Sequence, residues 1–357
     1  MTDTLFSPLA LGQLTLNNRI VMAPMTRNRA DADGCVNDLM VAYYAQRASA
    51  GLLIAEGTYP CKVGQAYARQ PGIANDQHVL AWQKVTTAVH AQGGRVFLQM
   101  MHAGRVGNEQ IKGKGVATLA PSAISAQGQV FTDTAGMQPF AMPQEMTLTQ
   151  IQEAIADHHA AAVRAKKAGF DGVELHCTSG YLPMQFLCTG SNHRDDAYGG
   201  SVVNRCRFVI ECLEALIDVF GAGQVGIRIN PGNAYNDCPD EDSLLTHTTL
   251  LRLIQPLALG YCHVMRAPVP EIDAFALVKA EFSGRIIVND SIALEEANQL
   301  IHQGDADAVS FARHYIANPD LVARLKHGLP LAKFDRKTLY TPGAAGYTDY
   351  PQYQQES

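Results

Sequence analysis

Gly172-Val-Glu-Leu-His-Cys-Thr-Ser-Gly-Tyr181 opens the one run of this chain that reads unlike the rest. Val173 to Leu175 is a short apolar run bounded by Gly172, the make-up of a strand covered on both faces. His176 and Tyr181 follow where that strand should end. A titratable ring and a phenol at a strand's C-terminal end suit a site better than a core. The chain then turns polar through Ser191-Asn-His-Arg-Asp-Asp196 and closes on Gly199-Gly-Ser201 before a new helical pattern.

Outward from this stretch, strand-like and helix-like segments alternate in both directions. Apolar runs predict strands at Arg19–Ala23, Leu52–Glu56, Arg95–Met101, Gly172–His176, Val225–Asn230, Tyr261–Met265, Arg285–Asn289 and Ala308–Phe311. Helical spacing predicts helices at Asp38–Ser49, Asp76–Ala91, Thr149–Ala168, Val202–Phe220, Asp242–Leu259, Pro270–Phe282, Leu294–Gln303 and Pro319–Lys326. In the fourth, the span Asp157–Gly169 runs from acid to Arg164, Lys166 and Lys167 with Gly169 beyond, the charge order of a helix. Eight β-then-α units imply an α/β protein with an all-parallel sheet. The count favours closure into a (β/α)8 TIM barrel, and 357 residues fall within that fold's range. An open dinucleotide-binding sheet is disfavoured because Ala23-Pro-Met-Thr-Arg-Asn28 stands where its glycine-rich turn belongs.

The whole chain, 1–357, therefore reads as a single domain with two irregular parts. Gly104–Thr147 is a long insertion after the third strand, where it is expected to cap the catalytic face. Thr338–Ser357 is expected to be an ordered tail, either packed on the barrel or lending an aromatic ring to its mouth.

A hydrophobic share of 47% is ample for a core, while a net charge of −6 without any basic block argues against nucleic acid or a membrane surface as partner. Eight cysteines without a C-x-x-C pair, behind an N-terminus lacking signal-peptide character, read as reduced thiols of a cytoplasmic protein. No apolar window approaches the ~18 residues that predict a bilayer span. Small-molecule partners are expected.

Barrel closure collects the strand ends on one face. They carry Pro24, Met25 and Thr26, then Gly57, Gln99, His176, Arg228, Asn289 and Arg313. Arg228, flanked by apolar neighbours in Gly226-Ile-Arg-Ile-Asn230, points into the lumen and needs an anionic partner. Gln99 offers both a donor and an acceptor there. A planar, hydrogen-bonding cofactor would satisfy both. A metal would not, since Glu56 is the one carboxylate at these ends and a single histidine is too few ligands. Arg313 follows the eighth strand, where barrels favour phosphate. Singly, each of these residues reads as well as a structural salt bridge or hydrogen bond; five strands doing so together weakens that view. Cys177 and Cys188 read as buried structural thiols.

Several spaced segments then agree with one family: Asn18-Arg-Ile-Val-Met-Ala-Pro-Met-Thr-Arg27, Tyr43-Tyr-Ala-Gln-Arg-Ala48, Gln99-Met-Met-His-Ala-Gly-Arg105, Glu174-Leu-His-Cys-Thr-Ser-Gly-Tyr-Leu182, Ser191–Ser201, Asp307–Arg313 and Gly346-Tyr-Thr-Asp-Tyr-Pro351. Over essentially its whole length the chain resembles the old yellow enzyme family of FMN-dependent ene-reductases. The resemblance implies FMN across the barrel mouth and NAD(P)H as electron donor, in a ping-pong reduction of the C=C bond of enone-type substrates. It places Pro24, Met25 and Thr26 beside the flavin, Gln99 and Gly57 at its pyrimidine edge, and Arg228 by its N1/C2 side. Asn289, Ser291, Ala312 and Arg313 would surround the phosphate. His176 and Ser179 would hold the substrate carbonyl, Tyr347 would contact substrate, and Tyr181 would deliver the proton. No metal is implied, and the assembly is a monomer or homodimer.

Three positions depart from the family pattern. Ser179 stands where Asn or His is usual. Asn289-Asp-Ser-Ile292 replaces a glycine-rich turn and sets a carboxylate near a phosphate dianion. Phe311-Ala-Arg313 replaces Phe-Gly-Arg. These motivate two alternatives: a specialised or redox-neutral member with an altered substrate clamp, and a barrel without flavin that serves as a non-catalytic binder.

Overall fold

The computed structural model describes residues 4–353, so the last four residues of the expected tail lie outside the described residues. Strands β1 (Leu9–Leu11) and β2 (Leu14–Leu16) form a hairpin ahead of the barrel. Barrel strands follow as β3 (Ile20–Met22), β4 (Leu52–Thr58) and β5 (Val96–Met100). The insertion contributes β6 (Leu119–Ala120), β7 (Gln129–Thr132), β8 (Gly136–Pro139) and β9 (Gln144–Glu145). The barrel resumes with β10 (Gly172–Cys177), β11 (Val225–Ile229), β12 (Tyr261–Met265), β13 (Arg285–Asn289) and β14 (Ala308–Phe311). Its eight strands are parallel and closed, with β14 pairing back onto β3.

Both faces of these strands are buried, and side chains alternate between two apolar sets. Val96, Leu98 and Met100 of β5 face the helices, whereas Phe97 belongs to the lumen with Val21, Leu52, Ile54, Tyr261, Ile287 and Ala308. Leu9, Leu11 and Leu16 of the hairpin complete that lumen cluster and so close the barrel's N-terminal end. Alternating leucines on either side of Gly12, whose φ is 55°, are the local cause of this hairpin.

The helices are α1 (Asp38–Ala45), α2 (Asp76–His90), α3 (Glu109–Lys112), α4 (Leu148–Lys167), α5 (Leu182–Leu187), α6 (Val202–Phe220), α7 (Ser243–Ile254), α8 (Ala274–Glu281), α9 (Leu294–Gln303), α10 (Arg313–Ala317) and α11 (Leu321–His327). A Thr147–Gln150 capping box starts α4, and the Ser201 hydroxyl accepts from Asn204 N–H to start α6. The expected helix Asp242–Leu259 is shorter, because Pro256 interrupts the α-helical bonding and Gln255–Leu257 turns as a 3-10 helix. The expected helix Pro270–Phe282 begins later, where the Asp273 carboxylate accepts from the N–H groups of Phe275 and Ala276. Helices α3, α5 and α10 are too short to leave a helical period in the sequence.

The insertion is not featureless. Its Val106, Ala126, Val130 and Phe140 form one apolar cluster with Met101 and Tyr181, which seats it over the end of β10. The tail is held by three arginines. Arg27 donates to Leu339 O (3.0 Å) and Gly346 O (2.8 Å), Arg29 to Thr338 O and Leu339 O (both 2.8 Å), and Arg47 to Tyr347 O (3.4 Å). The Tyr347 ring stacks on Tyr43, centroids 4.0 Å apart and 7° from parallel.

Candidate active site

The alternation of β10 turns Glu174 and His176 inward while Val173, Leu175 and Cys177 face the helices. Glu174 is wholly buried. Gln99 Nε2 donates to its Oε1 (2.8 Å), and His263 Nδ1 lies 2.9 Å from its Oε2. Burial pushes the Glu174 carboxyl up, but His263, Arg228 and Gln99 outweigh it and hold the group below its ordinary value. Burial, with Arg228 beside it, pushes His263 down despite Glu174. A neutral His263 then donates from Nδ1 to Glu174 and accepts at Nε2 from the Ser310 hydroxyl, 2.7 Å away.

Arg228 shares this lumen. Its Nη2 donates to Asn289 Oδ1 (2.7 Å), whose amide donates to Ser310 O (2.9 Å). The expected anionic partner of Arg228 is thus an amide in direct contact, with Glu174 as the nearby charge opposing the effect of burial. Glu56, expected to be the one carboxylate at the strand ends, is joined by Glu174. Glu56 itself accepts from Arg27 N–H (3.1 Å) and Tyr44 (3.2 Å), and burial pushes it up to about 7. Two donor or acceptor positions remain uncommitted here: His176 Nδ1 and Arg228 Nε are buried without a hydrogen-bond partner among the described residues.

At the mouth, the His176 and Tyr181 rings meet edge to face, 4.9 Å between centroids. Burial, followed by Arg228, pushes His176 down to about 3, so the ring is neutral near pH 7. The Tyr181 hydroxyl lies 2.7 Å from that of Tyr67. Burial pushes the Tyr181 phenol well up, and Tyr67, Tyr235 and Tyr340 push it further. Two of these four tyrosines, Tyr67 and Tyr235, leave no mark in the sequence because they lie in aperiodic loops, whereas Tyr340 belongs to the tail expected to lend an aromatic ring to the mouth. The structure places Tyr347 in the arginine clamp, fully buried; the tail phenol beside Tyr181 is Tyr340, 63% exposed.

The loop between β10 and α5 is fixed from several sides. Leu182 N–H donates to His102 O (2.9 Å), and Gln185 Nε2 donates to Ala103 O (3.0 Å) and Gly180 O (2.7 Å). Ser179 and Gly180 are both left-handed, with φ of 58° and 73°. At Gly180 a Cβ would sit 2.4 Å from Tyr235 O, so only glycine fits. Ser179 bears that conformation as an L-residue, and its carbonyl accepts from Asn236 (2.8 Å).

On the opposite side, Pro24, Met25 and Thr26 are half-buried between buried Ala23 and Arg27. The β4–β5 register shifts between Ala55 and Thr58, bulging Gly57, where a Cβ would meet Met101 Sδ at 2.5 Å. Beyond β13 and β14 a cavity of about 670 Å³ is lined by Asn289, Asp290, Ser291, Ala312, Arg313 and Arg336 among others. Asp290 and Ser291 keep left-handed φ of 80° and 54°, the geometry glycine would adopt. Ala312 has φ −97°, which costs an alanine nothing. Arg313 Nη2 donates to Asp290 Oδ1 (3.2 Å) and to Ser291 Oγ (3.0 Å). Among the described residues no group of three or more His, Cys, Asp or Glu can hold a metal, and all eight cysteines are free.

The barrel thus sets buried Glu174, His263 and Arg228 in its lumen, His176 and Tyr181 at its mouth and Arg313 on a cavity after its last strands, where barrels favour phosphate. Residues 4–332 match the profile of the NADH:flavin oxidoreductase / NADH oxidase family. The chain belongs to that family. Within it, a relative from Leishmania infantum named "Probable flavin mononucleotide-dependent alkene reductase" is 41% identical, covering 98% of this chain and 97% of its own. Morphinone reductase superposes with a TM-score of 0.94 at 38% identity, over 99% of this chain and 97% of that one. The old yellow enzyme homologue from Zymomonas mobilis gives 0.94 at 35%, over 98% and 99%. This old yellow enzyme family member therefore shares the barrel of its relatives across almost its full length. No helix among the described residues is long and apolar enough to cross a membrane.

Proposed function

We propose that this family member is an FMN-dependent ene-reductase, reducing the C=C bond of α,β-unsaturated carbonyl compounds with NAD(P)H. One observation carries the reading: a neutral His176 with an uncommitted buried Nδ1 stands against a buried phenol, Tyr181, at the mouth of a lumen holding Arg228. The residues present fit the cofactor. Arg228 Nε is a buried donor awaiting an acceptor, Gln99 keeps its carbonyl oxygen after donating to Glu174, and Arg313 lines the cavity beyond β13 and β14, where barrels favour phosphate. Pro24, Met25, Thr26 and Gly57 would hold the flavin from the β3–β4 side, and Asn289, Ser291, Ala312 and Arg313 its phosphate end.

FMN, when bound, would supply the two-electron chemistry that links nicotinamide oxidation to alkene reduction. The protein's own part is electrostatic and acid–base. His176 donates to the substrate carbonyl oxygen, where negative charge grows, and Ser179 is the second arm of that clamp. Tyr181 releases the proton from Oη to the α-carbon. Its raised phenol suits an acid that stays protonated at neutral pH, and Tyr67, hydrogen-bonded to it, stands ready to take part in refilling that proton. Tyr340 replaces Tyr347 as the proposed tail contact to substrate, because it is exposed beside Tyr181. NAD(P)H as donor, a cytoplasmic location, a monomeric or homodimeric state and a single domain over 1–357, capped by 104–147, complete the reading.

The purified protein is expected to be yellow, to bleach with NADPH and to recover colour with cyclohexenone. A colourless protein that takes up no FMN would overturn the proposal. A second reading rests on Ser179: with its shorter side chain the clamp suits a specialised substrate. Bound, reducible flavin without turnover of cyclohexenone or maleimide would select it.

A further inference from the structure

The cavity beyond β13 and β14 carries a contact that a phosphate site does not need. Arg313 is its best-placed cation, and that cation is already engaged by the Asp290 carboxylate at 3.2 Å. The pair lies on the cavity wall, with the two side chains 56% and 43% exposed. An ion pair so open to water is weak and readily exchanged for a stronger anion. Phosphate, which accepts from a guanidinium through two oxygens, is such an anion. Once displaced, however, the carboxylate does not leave. Asp290 sits in a left-handed turn with Ser291, its backbone carbonyl approached by Arg266 Nε at 3.5 Å, so its side chain stays beside whatever Arg313 binds. Arg336 and Lys333 also line the cavity and keep it attractive to an anion.

We infer that Asp290 is a resident competitor for the FMN phosphate: its carboxylate occupies Arg313 in the absence of cofactor and repels the phosphate in its presence, so this chain holds FMN reversibly and separates FMN from riboflavin only weakly. The inference rests on the FMN reading. It concerns the phosphate alone, so the isoalloxazine end of the site should not feel it.

The test uses the full chain stripped of flavin, titrated with FMN and with riboflavin by fluorescence quenching. Asp290→Asn keeps size and tolerance of the left-handed turn while removing the charge. It is expected to tighten FMN by about tenfold, equal to ~1.4 kcal/mol, and to leave riboflavin within about twofold. Arg313→Ala should cost more FMN affinity in the Asp290→Asn background than in the original chain, because the competitor no longer masks the guanidinium. Unchanged or weaker FMN binding by a natively folded Asp290→Asn protein would overturn the inference while leaving the cofactor assignment intact. Equal tightening of FMN and riboflavin would overturn it as well, since the charge would then act on the ring or the fold. Failure of every variant to bind either flavin would remove the cofactor reading and this inference together.

Discussion

The two ends of the proposed flavin site are both left-handed turns, yet they carry different chemistry. At the β10 end, Ser179 keeps a left-handed backbone but offers a shorter side chain. At the β13 end, Asp290 and Ser291 keep the backbone a glycine turn would have and add side chains where there were none. Both turns are left-handed, and each carries a polar side chain on an L-residue. Barrel closure sets where the chain must reverse, and the surrounding hydrogen bonds to Gly180 and Asn236 or to Arg266 and Arg313 hold it there. What differs is the step affected. In the proposed reaction the β10 end would touch the reacting atoms, so its side chain would act on turnover, and the β13 end would touch the anchor, so its side chain would act on cofactor occupancy.

The strongest way to break that contrast is at Tyr181. Tyr181→Phe should slow alkene reduction by ~10²–10⁴-fold while leaving flavin reduction by NADPH within a few-fold, measured as separate half-reactions by stopped flow. Equal loss in both would deny the β10 end its special role. Acid sensitivity is expected next. His176 has a folded value of about 3 against an ordinary 6.5, so the unfolded chain binds the proton more readily. Its stabilising contribution is whole above 6.5 and is lost as pH falls towards 3. Glu56, raised to about 7, works the other way: its contribution is present below its ordinary carboxylate range and is lost as pH rises through 7. Between pH 7 and 4.5, urea unfolding should show His176→Gln losing about 2 kcal/mol less than the original chain. Matching pH curves would place the titration elsewhere.

Ser179→Asn should sharpen the comparison from the substrate side. Asparagine tolerates left-handed φ better than serine and reaches further, so phenolic ligands should bind about tenfold tighter, seen as a stronger long-wavelength charge-transfer band. No change would mean that position 179 does not face the ligand. The smallest effect is expected from Asp290→Gly and Ser291→Gly, which relieve left-handed strain at the cost of chain entropy. Each should stabilise by roughly 0.5 kcal/mol in thermal unfolding.

The barrel was legible because strands buried on both faces leave continuous apolar runs, and the observed β10, β12, β13 and β14 start where such runs predicted. His176 and Tyr181 stood out for the same reason: they break a run at its end. The lumen network was harder to see. Glu174, His263 and Ser310 are 89 and 47 residues apart along the chain, and only closure makes them neighbours. Each reads locally as one polar residue in an apolar strand. The mouth tyrosines Tyr67 and Tyr235 come from loops, where no period marks them. Backbone sign at Ser179 and Asp290 is likewise invisible in residue names, though it decides what those side chains can do.

The arginine clamp has a consequence for how the molecule is made. Arg27 waits for Gly346, 319 residues later, and β3 finds its second neighbour only in β14. During synthesis the first strand of the barrel therefore emerges with one edge bare and with Arg27 and Arg29 lacking their tail partners. They gain them only once Thr338, Leu339 and Gly346 have been made and can fold back. Any copy cut short before Leu339 would leave those guanidinium groups and the stacking face of Tyr43 unmatched, and would lack Tyr340 as well. Docking of the tail and completion of the mouth are thus one event.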